Sequence, residues 1–309
     1  MLRMRERILV LIPAFNEART LPAVLTRIPR QAIRRRLSVD LDVLVVDDGS
    51  CDDGLDIAQA QGCLAIRHNY NRGYGAALQT GFSFACLHSY HHVVTIDADE
   101  QHRPEDIWDL LELRGQGVLV SGTRYLPTSM RLSQPPSPQV NRLFTSLVRL
   151  LTGFNITDVG CGFKCIDVQG LAGLQLSQSD YLFPLEFWWA WRQAGLCVRE
   201  VAVPMIYLDP TRNVGERLGG AAVALDKAVF LLTRLVLGLQ APYGHDWGRL
   251  LGHLMCGAPL PKAFILMHHQ LSLACDQGLP LDMACANLCL LRRSSSGIVR
   301  TEVFVRDFL

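Results

Sequence analysis

The segment Thr95-Ile96-Asp97-Ala98-Asp99-Glu100-Gln101-His102 places two carboxylates two positions apart behind an apolar run. Residues i and i+2 of an extended chain point to one side, so Asp97 and Asp99 can present oxygens to one ligand. Two hard oxygen donors with open coordination positions suit Mg²⁺ or Mn²⁺ shared with phosphate oxygens. Read alone, the same residues also make an acidic turn that starts a helix near Arg103-Pro104. A second acidic pair, Asp47-Asp48, follows Val45-Val46 and precedes Gly49-Ser50. Carboxylates there read ribose hydroxyls or a base edge, or simply cap a turn. Pro13-Ala14-Phe15-Asn16-Glu17 offers a ring to a base and a carboxylate to a ribose, or a plain helix start with Asn16 as cap. The loop Asn69–Ala77 carries Gly73 and Gly75 but lacks the third glycine of a dinucleotide fingerprint. Its glycines let backbone pack near a site, and Arg72 can face a phosphate.

These clusters need a frame that brings them together. Continuous apolar runs at Ile8–Ile12, Leu41–Val46, Cys63–Arg67, His92–Ile96 and Gly117–Ser121 read as buried strands. Helical patterns alternate with them, opening at Asn16–Glu17, at about Asp53–Gln61, at Gly75–Leu87 and at Pro104–Leu113. Strands without polar alternation, separated by helices, predict an α/β fold with a mostly parallel sheet covered on both faces. Ligands of such sheets sit beyond the carboxyl ends of the strands, where all the acidic clusters fall. Further on, Pro127–Pro138 reads as a loop. Val140–Leu151 reads as an amphipathic helix, with Leu143, Leu147, Val148 and Leu151 opposite Arg142 and Arg149. Val198–Leu208 reads as a strand. From about Gln240 the chain is rich in Leu, His and Cys and forms an appendage of unassigned role. It stops inside an alternating run, Ile298–Phe308, as a truncated chain would.

Composition narrows the class. Of 309 residues 49% are hydrophobic and 19% charged, and the formal net charge is +1. A chain this apolar buries a core and is not disordered. Its charge balance lacks the basic excess of a nucleic-acid binder. Only Lys164, Lys227 and Lys262 are lysines among 30 basic residues. Ten cysteines without a leader read as reduced thiols, and Cys161/Cys165 and Cys285/Cys289 lack zinc spacing. The longest apolar stretch, Ala221–Gln240, is broken by Asp226, Lys227 and Arg234, short of the roughly 18 clean residues of a spanning helix. The expected place is the cytoplasm or the cytoplasmic face of a membrane. Arg27, Arg30, Arg34, Arg35 and Arg36 suit anionic lipid or a solvated helix end. Val140–Leu151 and Ala221–Leu239 suit the membrane interface or a protein core.

Together, IPAFNE, VVDDGS, NRGYGAA, IDADEQH, SGTRY, Thr157–Lys164 (TDVGCGFK) and RNVGERLG occur in one order. In this the chain resembles the family-2 glycosyltransferases of the GT-A fold, over about residues 8–220. Among them it is most similar to the dolichyl- and polyprenyl-phosphate mannose or glucose synthases. The resemblance implies a GT-A domain over 1–240, with 241–309 appended. It implies that Pro13, Phe15, Glu17, Asp47 and Asp48 line the nucleotide pocket. Asp97 and Asp99 would hold Mg²⁺ or Mn²⁺ on the donor diphosphate, with Ala98 and Gln101 beside them. Arg124 would face the donor phosphate or sugar, and Arg212 and Arg217 would close over the diphosphate. Phe15 stands where the family often has Tyr, the turn after Asp48 is altered, and Arg217 stands in for a Lys.

The implied activity is metal-dependent, inverting transfer of one sugar from a UDP- or GDP-sugar to a polyprenyl phosphate. A phosphate acceptor is already ionised and needs no protein base. A glycan, protein or small hydroxyl acceptor would need one, for which Asp158 and Glu186 are the candidates. Arg131 and Arg142 are candidate ligands of an acceptor phosphate. A donor-binding protein without turnover is a further alternative. A nucleotidyltransferase would need a glycine-rich, lysine-bearing loop near the N-terminus, and none occurs.

Overall fold

The apolar runs assemble into one seven-stranded sheet. A computed structural model describes residues 5–129, 138–207, 221–236, 289–293 and 299–303. The strands are β1 (Arg7–Ala14), β2 (Asp40–Asp47), β3 (Leu64–Arg67), β4 (His92–Thr95), β5 (Val118–Thr123), β6 (Lys164–Asp167) and β7 (Cys197–Ala202). Their spatial order is β3-β2-β1-β4-β6-β5-β7. β1 is central, with Val10 opposite Val43 on one side and Val94 on the other, both in parallel register. Ile8 to Ile12 are wholly buried, as an unbroken apolar strand in a two-faced sheet must be.

Helices cover both faces. α1 (Leu21–Arg27), α2 (Arg30–Leu37), α3 (Gly54–Ala60) and α5 (Ile107–Glu112) belong to one layer. In that layer Ile8, Val10 and Ile12 share a core with Val24, Leu25, Ile33, Ala58, Ile107 and Leu111. On the other face α4 (Tyr74–Leu87) lies across β1 and β2, where its position 81 meets Leu11. α7 (Val168–Leu171) and α8 (Phe183–Gln193) complete the elements of this unit.

Two features depart from expectation, β6 and the first helix. β6 is antiparallel to both β4 and β5 and separates them. Lys-Cys-Ile-Asp is too short to show a period, and only its sheet neighbours reveal it. Because it runs backwards, its first residue, Lys164, faces Thr95 and Ser121 at the edge where β4 and β5 end. The first helix begins at Leu21, not at Asn16, whose φ of 56° is left-handed and non-helical. The arginine run forms α2 and its flanks, an exposed helix end as one of the two expectations had it, with several of its guanidiniums resting on the protein's own surface. Arg27 forks onto Glu105 at 2.9 Å, Arg34 donates to the Leu41 carbonyl at 3.1 Å, and Arg36 lies over the Trp108 ring.

The chain divides into two compact units, Met1–Pro136 with Ile156–Thr211, and Ser137–Asn155 with Arg212–Leu309. In the second, α6 (Pro138–Thr152) buries Leu143, Leu147 and Val148 and exposes Arg142 and Arg149, as its pattern dictates. α9 (Ala221–Val236) is buried from Ala228 through Arg234, more than one full turn and so on every side. Strands β8 (Cys289–Arg293) and β9 (Val299–Val303) pair antiparallel. No helix among the described residues is long and apolar enough to cross a membrane.

Candidate active site

The first unit gathers its polar clusters at one edge of the sheet. β1, β2, β4 and β5 end there, and β6 begins there. Asp97 and Asp99 follow β4 and are both partly exposed, with the buried Ala98 between them as the anchor. Tyr74, the first residue of α4, donates its hydroxyl to Asp97 Oδ1 at 3.1 Å. His102 Nε2 lies 3.6 Å from Asp97 Oδ2, and its ring stacks on Phe163. Burial would raise the Asp97 pKa, but His102, the Tyr74 hydroxyl and the charge of Lys164 outweigh it and hold the carboxyl below the usual range. Asp97 is therefore ionised at neutral pH. Asp99 Oδ1 accepts the backbone N–H of Gln101 at 3.2 Å, which folds the loop back beside the pair.

The backbone at Gly162 passes directly over this carboxylate. A Cβ there would sit 2.5 Å from Asp97 Oδ2 and 2.9 Å from the Tyr74 hydroxyl, so any side chain would push the carboxylate or the hydroxyl aside. Thr95 Oγ1 donates to the Gly162 carbonyl at 2.6 Å and sets the approach. The pair fits a divalent metal: two carboxylates two positions apart in the loop just beyond β4, one of them held ionised, leaving positions for diphosphate oxygens. Among the described residues no set of three or more His, Cys, Asp and Glu side chains forms a closed metal cage.

The other acidic pair does different work. Asp47 Oδ1 accepts Ser50 N at 2.9 Å, and Asp47 Oδ2 pairs with Arg67 at 3.1 Å. Asp48 Oδ1 meets His68 Nδ1 at 2.6 Å and Arg72 N at 2.9 Å, while Oδ2 accepts Gly73 N at 2.7 Å. Both carboxylates are almost wholly buried. They tie β2 to its own turn and to the NRGYGAA loop. Pro13 is buried inside β1, opposite Val46, whereas Phe15 just beyond is 42% exposed. Glu17 accepts from Thr20 Oγ1 at 2.8 Å. Asn16 is not a helix cap. Its N–H donates to Ser50 Oγ and its Oδ1 accepts Cys51 N, each at 2.9 Å, joining the loops after β1 and β2.

Arg124 and Asp158 form a bidentate pair, Nε to Oδ2 at 2.7 Å and Nη2 to Oδ1 at 2.8 Å. Arg124 Nη1 donates to the Tyr207 hydroxyl at 2.8 Å. Burial disfavours both charges, yet the pairing prevails. Asp158 lies below the usual carboxylate range and Arg124 above its ordinary value. Glu200 holds the same segment by accepting Thr157 N at 2.7 Å and Thr157 Oγ1 at 2.9 Å. Arg124 and Asp158, expected at the donor and as a base, thus meet each other in the structure. Glu186 is also bonded within the protein. Its carboxylate accepts Ser177 N, Ser177 Oγ and Gln178 N at 2.7–2.8 Å and is buried. Glu186→Gln keeps an acceptor for both N–H groups, so transfer should stay within about threefold of wild type, where loss of a general base costs about 10²–10⁴. Glu186→Ala strips all three bonds and should lower stability by about 1–3 kcal/mol, read by thermal unfolding.

Arg131, Arg212 and Arg217 lie outside the described residues, and Arg142 is an exposed residue of α6 in the second unit. The structure adds Tyr74, His102, Gly162 and Lys164 to the site. Lys164 is buried, donates to Ser121 Oγ at 3.2 Å and to the Cys161 carbonyl, and lies over the Trp188 ring. Burial pulls its pKa down. One hint preceded it, since a lysine is rare in this arginine-dominated chain. Cys161 and Cys165 are free, buried thiols. Burial pushes Cys161 up to about 11, so it is an inert packing group.

A mostly parallel sheet with one reversed strand, helices on both faces and an acidic pair beyond its carboxyl edge is the GT-A arrangement. The model of Glycosyl transferase family 2 matches residues 9–174, and the chain belongs to that family of glycosyltransferases. It is 32% identical to the undecaprenyl-phosphate mannosyltransferase of Micrococcus luteus, over 77% of this chain and 99% of that one. It is 30% identical to the polyprenol monophosphomannose synthase of Mycolicibacterium smegmatis, over 70% and 83%. Among solved structures, Mycobacterium tuberculosis glucosyl-3-phosphoglycerate synthase with Mn²⁺, UDP and glucosyl-3-phosphoglycerate shares the fold. Its TM-score is 0.55 at 22% identity, covering 76% of this chain and 81% of that one.

Proposed function

We propose that this glycosyltransferase moves one sugar from a nucleoside-diphosphate donor to a polyprenyl phosphate, with inversion. The observation that carries the acceptor is the state of the two candidate bases. Asp158 is locked to Arg124, and Glu186 is locked to the 177–178 loop. A hydroxyl acceptor needs a base that neither can supply, whereas a phosphate monoester arrives ionised. The names of the two relatives agree with a lipid-phosphate acceptor.

Asp97 and Asp99 are the metal ligands in this reading, and Gln101 lies beside them. A bound Mg²⁺ or Mn²⁺ supplies positive charge to the departing diphosphate. Phe15 lies against the base, and Pro13, Glu17 and Asp47 shape the floor of the nucleotide pocket. The acceptor oxygen brings its own lone pair to the anomeric carbon from the side opposite the diphosphate. The carbon–oxygen bond to the donor breaks, its electron pair leaves with the nucleoside diphosphate, and no proton is moved. The lipid acceptor places the work at the cytoplasmic face of a membrane.

The test is transfer from radiolabelled GDP-mannose and UDP-glucose to polyprenyl phosphate with Mn²⁺. Label in the organic phase, dependent on the lipid phosphate, is the expected result. Transfer instead to a hydroxyl acceptor, with none to lipid phosphate, would sink the acceptor assignment.

A further inference from the structure

The NRGYGAA loop has no role in the chemistry described above, yet it ends on the metal-binding carboxylate. Gly73 N and Arg72 N both donate to the buried Asp48. Gly73 adopts a φ of +102°, and a Cβ there would lie 2.3 Å from the Ser179 carbonyl, so the chain can turn only as glycine. The turn delivers Tyr74, whose hydroxyl bonds Asp97 Oδ1. On its other side the Tyr74 ring stacks on Tyr181, centroids 5.5 Å apart and planes 11° apart. The 177–181 loop that carries Tyr181 is held at its start by Glu186 and along its length by Ala76 N and Gln79 Nε2.

We infer that Tyr74 is a positioning residue for the metal site, orienting Asp97 through a hydrogen bond whose geometry is set by Asp48 on one side and by the Tyr181 loop on the other. The inference rests on the reading of Asp97 and Asp99 as metal ligands. Asp97 is gripped at one oxygen by Tyr74 and approached at the other by His102, while Gly162 closes the space above. A carboxylate fixed at both ends loses little rotamer entropy on binding a cation, and such outer partners commonly govern 10–100-fold in metal affinity. Asp48 thereby acts on the metal through three residues of backbone.

The experiment measures Mn²⁺ uptake by electron paramagnetic resonance at saturating GDP and UDP, on the full chain. Tyr74→Phe removes one oxygen and keeps the ring stack. It should weaken Mn²⁺ binding about 10-fold, leaving metal-free nucleotide affinity unchanged and lowering the melting temperature by no more than about 2–4 °C, the cost of one hydrogen bond. Asp48→Asn should weaken Mn²⁺ similarly, and the double variant should lose no more than about the larger single effect, because both act on one bond. Wild-type Mn²⁺ affinity in Tyr74→Phe, with Asp97→Ala abolishing uptake, overturns this inference and leaves the metal site standing. Full additivity of the two changes overturns the link from Asp48. A wild-type protein that takes up no Mn²⁺ with either nucleotide overturns both the inference and the metal reading beneath it.

Discussion

The Asp97→Ala/Asp99→Ala protein is expected to fold normally and to lose sugar transfer by about 10³-fold or more. A metal's charge on a leaving diphosphate is worth several kcal/mol, and each 1.4 kcal/mol is about tenfold in rate. Both side chains are partly exposed on a loop beyond the core, and neither belongs to the apolar cluster that supports the sheet. Truncation releases the Tyr74 hydroxyl and the His102 edge at a cost of about 1 kcal/mol, too little to unfold the protein. Transfer assays beside calorimetry separate the two effects. Turnover within about tenfold of wild type would remove the metal from the mechanism.

Arg124→Ala is the second large effect, and it falls on stability. Asp158 is wholly buried, and its carboxylate oxygens face the Arg124 fork and backbone N–H. Deleting the guanidinium strands that charge, which costs about 3–5 kcal/mol. The melting temperature should fall by roughly 6–20 °C in a domain of this size. Arg124→Met/Asp158→Leu, which removes both charges together, should recover much of the loss because no unpaired ion remains. A single variant that melts like wild type but shows a raised donor KM would return Arg124 to the donor.

How much of this was legible in the sequence differs from element to element. The apolar runs at Ile8–Ile12, Leu41–Val46 and His92–Ile96 declare themselves because a strand buried on both faces has no polar alternation. All three are strands at those positions. Asp97 and Asp99 were visible as a short acidic motif behind an apolar run, although β4 itself ends at Thr95 and Asp99 lies in the turn beyond it. The amphipathic stripe of α6 was equally local, and Leu143, Leu147 and Val148 are buried. β6 was not visible. Four residues show no period, and its reversed direction is decided by the long excursion before it and by its bonds to β4 and β5.

The same division runs through the site. The sequence by itself determined the sheet, the family and the carboxylates at the strand ends, because these follow from local periodicity and short motifs. Only the tertiary structure decided which partners each acidic group meets. Asp48, Asp158 and Glu186 read on paper as a pocket wall and two bases, and each meets partners 20, 34 and 9 residues away that its neighbours do not announce. A carboxylate's chemistry depends on whether its lone pairs are free. That depends on donors brought from elsewhere in the chain, which no spacing of neighbours records.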